Sequence, residues 1–86
     1  MFKKTRWIDV NQRDMMEVIR VIIDHLGAFE GFIGACDWTN DPDIYSVSFN
    51  ANDKRYGKIV EELNNMGEFK VVVSPKGEMN VFFERI

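Results

Sequence analysis

The spacing of hydrophobic residues changes several times along the chain, and each change marks a predicted element. Residues 2–10 mix aromatic and β-branched residues with lysine and arginine, which predicts a strand. From Asn11 to Gly27 the hydrophobic residues recur at helical spacing, with Asn11 and Asp14 as capping residues, which predicts an amphipathic helix. Only Val21 falls on its polar side. The predicted buried face comprises Met15, Met16, Val18, Ile19, Ile22, Ile23 and Leu26.

The next segment predicts a hairpin. β-forming residues return at 32–38 and again at 44–50, with five polar residues between them. In the second strand Tyr45, Val47 and Phe49 alternate with serines, which predicts one buried face and one polar face. We therefore expect the sheet to have an open side.

The remaining residues predict a second helix and a second hairpin. Asn52 or Asp53 can cap the helix, and Gly67 can end it. Strands at 69–74 and 79–86 then flank a turn that contains proline and glycine. The core predicted from all these patterns comprises Ile19, Ile22, Leu26, Val47, Phe49, Ile59, Leu63 and Val71.

The predicted order of elements, βαββαββ, resembles the split βαβ plan of ferredoxin-like domains with a C-terminal strand added. The resemblance covers the whole chain as topology, and it implies an antiparallel sheet with two helices on one face. A chain of 86 residues without a linker-like segment is long enough for one core only. We therefore predict a single α+β domain over 1–86.

Composition and charge narrow the possible partners. Lys and Arg number 11 against 14 Asp and Glu, and the net charge of -3 has the wrong sign for general attraction to nucleic acid or an anionic membrane. No apolar run approaches the roughly 20 residues of a membrane span, and no signal-peptide core follows the N-terminus. The single cysteine, Cys36, excludes an internal disulfide. These features predict a cytoplasmic protein without a membrane partner.

The sequence offers little catalytic chemistry. His25 and Cys36 are the sole members of their kinds, and no third group is visible to activate or orient them. The acidic segment 37–43 departs from a calcium loop, because Pro42 and Ser48 stand where that loop needs glycine and a bidentate glutamate. No glycine-rich phosphate loop is present. We predict no enzyme activity, no metal and no cofactor.

The first candidate binding surface is the acidic hairpin. Trp38 is a large aromatic anchor, and Asp37, Asp41 and Asp43 surround it with charge suited to a basic patch on a partner protein. Ordinary hairpin packing of Trp38 is the alternative interpretation, with the loop aspartates bonding their own backbone.

The open sheet face extends this candidate site. Alternation along the first strand places Trp7 on that face, and alternation along the last strands leaves Val72 and either Phe82 or Phe83 there. An uncovered apolar patch of this kind usually marks association with another chain. It favours a homodimer or a partner site.

A basic group is the alternative candidate site, for an anion. Lys54, Arg55 and Lys58 crowd the first two turns of the second helix, where cations oppose the helix dipole. They form an anion-facing patch if the basic residues of the first strand lie beside them. The competing interpretation is that Lys58 pairs with Glu61 or Glu62 and that Lys54 and Arg55 are solvated.

These observations predict a non-enzymatic protein-interaction module, either a small inhibitor or adaptor or a homodimeric regulatory domain. In size and lack of motifs the chain looks like accessory proteins that phages encode to block host enzymes. Binding of single-stranded nucleic acid by the sheet face is one alternative, although the motif of RNA-binding domains is missing from 44–49. A small-ligand regulatory domain is the other.

Overall fold

The chain folds into a small α+β arrangement. The computed structural model describes residues 4–36, 40–66, 69–73 and 80–85. The elements along the chain are β1 (Lys4–Asn11), a 3-10 turn (Gln12–Asp14), α1 (Met15–Leu26), β2 (Gly31–Ala35), β3 (Ile44–Ala51), α2 (Asp53–Asn65), β4 (Phe69–Val73) and β5 (Asn80–Arg85).

The strands lie in the order β2-β3-β1-β5-β4. The predicted antiparallel pairing is confirmed for β2, β3 and β1, whereas β5 runs parallel to β1 and antiparallel to β4. The parallel pair arises because α2 returns the chain to the direction of β3, and the hairpin from β4 then reverses it to the direction of β1. The sheet is therefore mixed, and the prediction of a wholly antiparallel sheet is wrong at β5.

The core lies between the sheet and the two helices. Five predicted core residues are buried, namely Ile22, Val47, Phe49, Ile59 and Leu63, while Ile19 and Leu26 are partly buried against them. Val71, the remaining predicted core residue, lies in β4, but its side chain is outside the described part of the structure. The remaining hydrophobic members of the core are Ile8, Val10, Val18, Val21, Ala51, Tyr56 and Phe83.

The buried face of α1 is rotated from the predicted one. Val21, assigned to the polar side, is 2% exposed, whereas Met16 is 74% and Ile23 40% exposed. The physical reason is the second helix. His25, one turn after Val21, bonds Glu62 of α2, so this side of α1 is covered by α2 rather than by solvent. The opposite flank of α1 is left uncovered.

The predicted signals are confirmed at the end of α1 and the start of α2. Gly27 ends α1 in the left-handed conformation, with φ of 86°, and the Asn52 side chain caps α2 by accepting a hydrogen bond from the Arg55 amide at 2.8 Å. Gly67, predicted to end α2, lies outside the described residues.

The predicted cap at the start of α1 is wrong, because neither Asn11 nor Asp14 makes a side-chain capping bond there. The chain passes through the 3-10 turn before α1 begins at Met15. Within the described ranges, no helix is long and apolar enough to span a membrane.

Candidate interaction surface

Strand β2 forms an edge of the sheet and is exposed along its whole length. Phe32 is 80% exposed and Ile33 is 44% exposed. The strand contains neither a charged residue nor a proline, which are the usual protections of an edge against pairing with another chain. Its outer backbone groups are therefore available to a further strand.

The uncovered flank of α1 is the second exposed apolar area. Met16, Ile19 and Ile23 line an apolar depression of about 370 Å³ there. α2 packs beside α1 and against β4, at the edge of the sheet opposite β2, and it leaves this flank of α1 uncovered. We refer to Met16, Ile23, Phe32 and Ile33 as the α1–β2 surface. They are the large hydrophobic side chains classed as exposed among the described residues.

The open face of the sheet brings Trp7 close to this surface. Trp7 and Phe32 are both partners of Ser48 in the strand register, one on each side of β3. Trp7 is half-buried, whereas Asp9, the next β1 residue on the same face, is fully buried. The predicted open face is therefore exposed toward β2 and covered at the centre of β1. Phe83, one of the two outward candidates, is instead a core residue.

The hairpin loop lies beyond the end of β2. Asp41 and Asp43 are exposed, and the Asp43 amide donates to the Asp41 side chain at 2.9 Å, as expected for an aspartate that stabilises its own turn. The Gln12 amide donates to the Asp43 carbonyl at 2.8 Å and joins the loop to the end of β1. Asp37 and Trp38 lie outside the described residues. Their role stays a prediction.

The predicted basic group is partly used within the molecule. Lys54, Arg55 and Lys58 are exposed, but the Arg55 Nη1 donates to the His25 carbonyl oxygen at 2.9 Å. This carbonyl belongs to the last turn of α1, where a cation is favoured by the helix dipole. The two helix ends therefore stabilise each other, and this offsets the unfavourable position of Arg55 at the start of α2.

The basic residues of β1 do approach the start of α2, as the patch prediction requires. However, Arg6 and Lys4 both pair with Asp53, the latter at 3.6 Å between Nζ and Oδ1. The carboxylate neutralises part of the positive charge. Glu62, one of the glutamates available to Lys58, bonds His25 Nε2 at 2.8 Å instead. The β1 cations are therefore paired with Asp53 and Arg55 is bonded to α1, which reduces the positive charge available to an anion here.

Tyr56 packs at the centre of this network. The Arg6 guanidinium carbon lies 4.9 Å from the Tyr56 ring centroid, and the Tyr56 hydroxyl donates to the Trp7 carbonyl at 3.1 Å. Burial raises the pKa of Tyr56 to about 12, an effect that Asp9 adds to and Arg6 opposes. Tyr56 is therefore a structural residue that joins α2 to β1.

We expect this raised pKa to make stability fall at high pH. The contribution of Tyr56 is fully present below pH 10.0, its ordinary pKa, and is lost as the pH rises toward about 12. Tyrosine absorbance, taken as the difference between wild type and Tyr56→Phe, should titrate near pH 12. The stability difference between the two proteins should shrink over the same interval. A difference titration centred near pH 10 would contradict this assignment.

The other groups singled out for chemistry lie on separate elements. His25 is in the last turn of α1, and Cys36 is buried just after β2. In the described part of the chain, no group of three or more histidine, cysteine, aspartate or glutamate side chains is arranged to hold a metal ion. A cavity of about 490 Å³ lies between the α1–β2 connection and the start of α2, with Glu30, Asn50, Asn52 and Arg55 among its lining residues. Its polar lining contrasts with the mostly apolar lining of small-molecule sites.

The chain matches no protein-family model, no curated protein and no solved structure. Function must therefore be argued from the surface of the chain. Sequence reasoning selected Trp7 but missed Phe32 and Ile33, because a run of β-forming residues gives no sign of whether its strand is central or at an edge. The signal that was present is the lack of charge between Gly31 and Ala35.

Proposed function

We propose that this chain is a protein-interaction module that binds through the α1–β2 surface. The observation that carries the proposal is the unprotected edge strand, with Phe32 80% exposed and Ile33 44% exposed on a strand that has no charge. Edges of this kind bind other proteins by adding a strand, in which backbone hydrogen bonds supply affinity and alternate side chains supply specificity.

The chemistry of the surface favours a protein partner over the other candidates. The centres of protein interfaces are depleted in charge and enriched in aromatic residues and methionine. The α1–β2 surface has this composition, since it contains Met16 and Phe32 and no charged member. Nucleic acid would need positive charge along the site, but the net charge is -3. Lys4 and Arg6 of β1 pair with Asp53, and Arg55 of α2 bonds the His25 carbonyl. Contact with another protein is therefore the better supported function.

The finer parts of the proposal extend from this surface. Trp38 and the acidic residues Asp37, Asp41 and Asp43 follow β2 in the chain. We assign Trp38 to the same interface as an aromatic anchor and the aspartates to its rim, where charge steers association. The ferredoxin-like plan, a cytoplasmic location, the absence of enzyme activity and a role as inhibitor, adaptor or regulatory domain belong to this proposal as well.

The test compares capture of proteins by wild type and an edge variant. Phe32→Ser with Ile33→Lys removes apolar area and adds a charge that opposes strand addition. We expect this variant to weaken binding of a purified captured partner by at least about 2 kcal/mol. Trp38→Ala should cost a similar amount if the hairpin contributes an anchor.

The matched control is Lys54→Glu with Lys58→Glu, which changes exposed side chains on α2 and leaves Arg55 in place. We expect it to retain binding. Circular dichroism establishes that each variant is folded. Binding that survives the edge variant and collapses in the control, with steep loss at raised salt, would contradict the proposal and favour an acidic partner or nucleic acid.

A further inference from the structure

Building on the proposed protein-contact function, we propose that the partner of the α1–β2 surface is a second copy of this chain. The two β2 strands pair antiparallel about a two-fold axis at Ile33, and the two sheets become one continuous sheet. A two-fold contact requires a surface that is complementary to itself. Strand β2 meets this requirement in the order of its residues.

The register centred on Ile33 places the largest residue of β2, Phe32, opposite a glycine. Ile33 faces its own copy, Phe32 faces Gly34 of the second copy, and Gly31 faces Ala35. Each exposed Phe32 ring therefore lies over a glycine, which leaves it room to pack and covers the glycine backbone. Ile33 lies on the helix side of β2, because its register partner Val47 is in the core. The same register therefore keeps the helices of both copies on one face.

The charge distribution also favours a second copy. Any charge near a two-fold axis lies close to its own equivalent, and each copy carries a net charge of -3. An uncharged segment at the axis avoids this repulsion, and β2 is one. Glu30, the residue before β2 in the chain, pairs with Cys36 of the other copy in this register and avoids the second Glu30. Selection of a partner strand with a different sequence would require charges on β2 that attract that strand and repel others, and β2 has no charged residue.

The flank of α1 supplies further contact area. A stable interface takes about 800 Å² from each partner, about one seventh of the 5550 Å² surface of this chain, and a strand of five residues is too small to supply it alone. Met16 and Ile23 are exposed on the α1 flank that α2 leaves uncovered, and the paired assembly places the α1 helices of both copies on the same face of the continuous sheet. Their apolar side chains would cover the two Ile33 residues.

The first measurement is the mass in solution by sedimentation equilibrium. We expect wild type to have twice the 10.1 kDa mass of the chain, with Ile33→Lys at the mass of the monomer. The control, Lys58→Glu, is on α2 and should leave the doubled mass unchanged. Wild type that stays at 10.1 kDa at high concentration would overturn the second-copy proposal.

The second measurement tests the register by disulfide cross-linking in a Cys36→Ala background. Ile33→Cys should form a disulfide-linked dimer. The Cα atoms of directly opposed residues in an antiparallel pair lie within the range of roughly 4.4 to 6.8 Å that a disulfide spans. Phe32→Cys alone should not, since equivalent positions lie on the diagonal, roughly 7 to 8 Å apart. A mixture of Phe32→Cys and Gly34→Cys should cross-link as a heterodimer. A doubled mass without this pattern would overturn the β2 contact.

These outcomes separate the two proposals. A monomeric chain that still loses its captured partner on Phe32→Ser with Ile33→Lys overturns the second-copy contact and leaves the protein-contact function standing. A monomeric chain whose binding ignores that variant overturns both.

Discussion

Replacement of Phe49 by alanine is expected to lower the free energy of unfolding by about 3 to 5 kcal/mol. The ring is 2% exposed and packs with the Tyr56 ring at a centroid distance of 6.1 Å. Its removal leaves a cavity where the sheet meets α2, and the surrounding core of β1, β3 and α1 can fill it only in part. This cost is a large fraction of the stability of so small a domain.

The matched control is Phe32→Ala, since the same side chain is removed from a site that is 80% exposed. We expect a change within about 0.5 kcal/mol. Urea denaturation of dilute protein gives both values, because dilution removes any contribution from association. Equal losses for the two variants would show that Phe49 is not the core residue described here.

The second large effect is expected for Gly31→Ala, at about 1 to 3 kcal/mol or more. A Cβ atom at Gly31 would overlap the Ser48 carbonyl oxygen and would lie 2.9 Å from the Ser48 carbonyl carbon. The obstacle is the backbone of the neighbouring strand, which cannot move without breaking the β2–β3 pairing. We therefore expect β2 to separate from β3, with faster amide hydrogen exchange along both strands.

Gly34→Ala provides the comparison within the same strand. A Cβ at Gly34 meets nothing within 4 Å, so we expect a stability change within about 0.5 kcal/mol. Gly31→Ala with unchanged stability and unchanged exchange in β3 would show that β2 does not approach β3 as closely as described.

The sequence was sufficient to predict local structure, because capping, turn chemistry and hydrophobic spacing act over a few residues. Asn52 caps α2, Gly27 ends α1, and alternation in β3 buries Val47 and Phe49 as predicted. The direction of β5 could also have been derived, since each crossover and hairpin fixes the direction of the next strand. The position of β5 between β1 and β4 could not be derived. The same order of elements along the chain also allows β4 to lie beside β1, with β5 at the edge of the sheet.

The candidate surface was predicted less well, because exposure depends on which elements cover each other. Val21 and Ile23 are two positions apart on α1 with equally apolar side chains, yet α2 covers the first and leaves the second exposed. Periodicity gives the width of the apolar arc on a helix, but the side on which α2 packs against α1 decides which part of that arc is buried. The same argument applies to Phe32 and Phe49. Phe49 lies on the helix face of an internal strand, whereas Phe32 lies on the open face of an edge strand.

The internal position of β5 has a consequence for the order of folding. β5 is synthesised after every other described element, yet it joins β1 through pairs such as Trp7 with Asn80, which are 73 positions apart. The unit β2-β3-β1 can assemble during synthesis, but one side of β1 stays unpaired until β5 arrives. Contacts between such distant residues slow folding, since the loop between them must close first. We expect the joining of β5 to β1 to be the late step that completes the sheet.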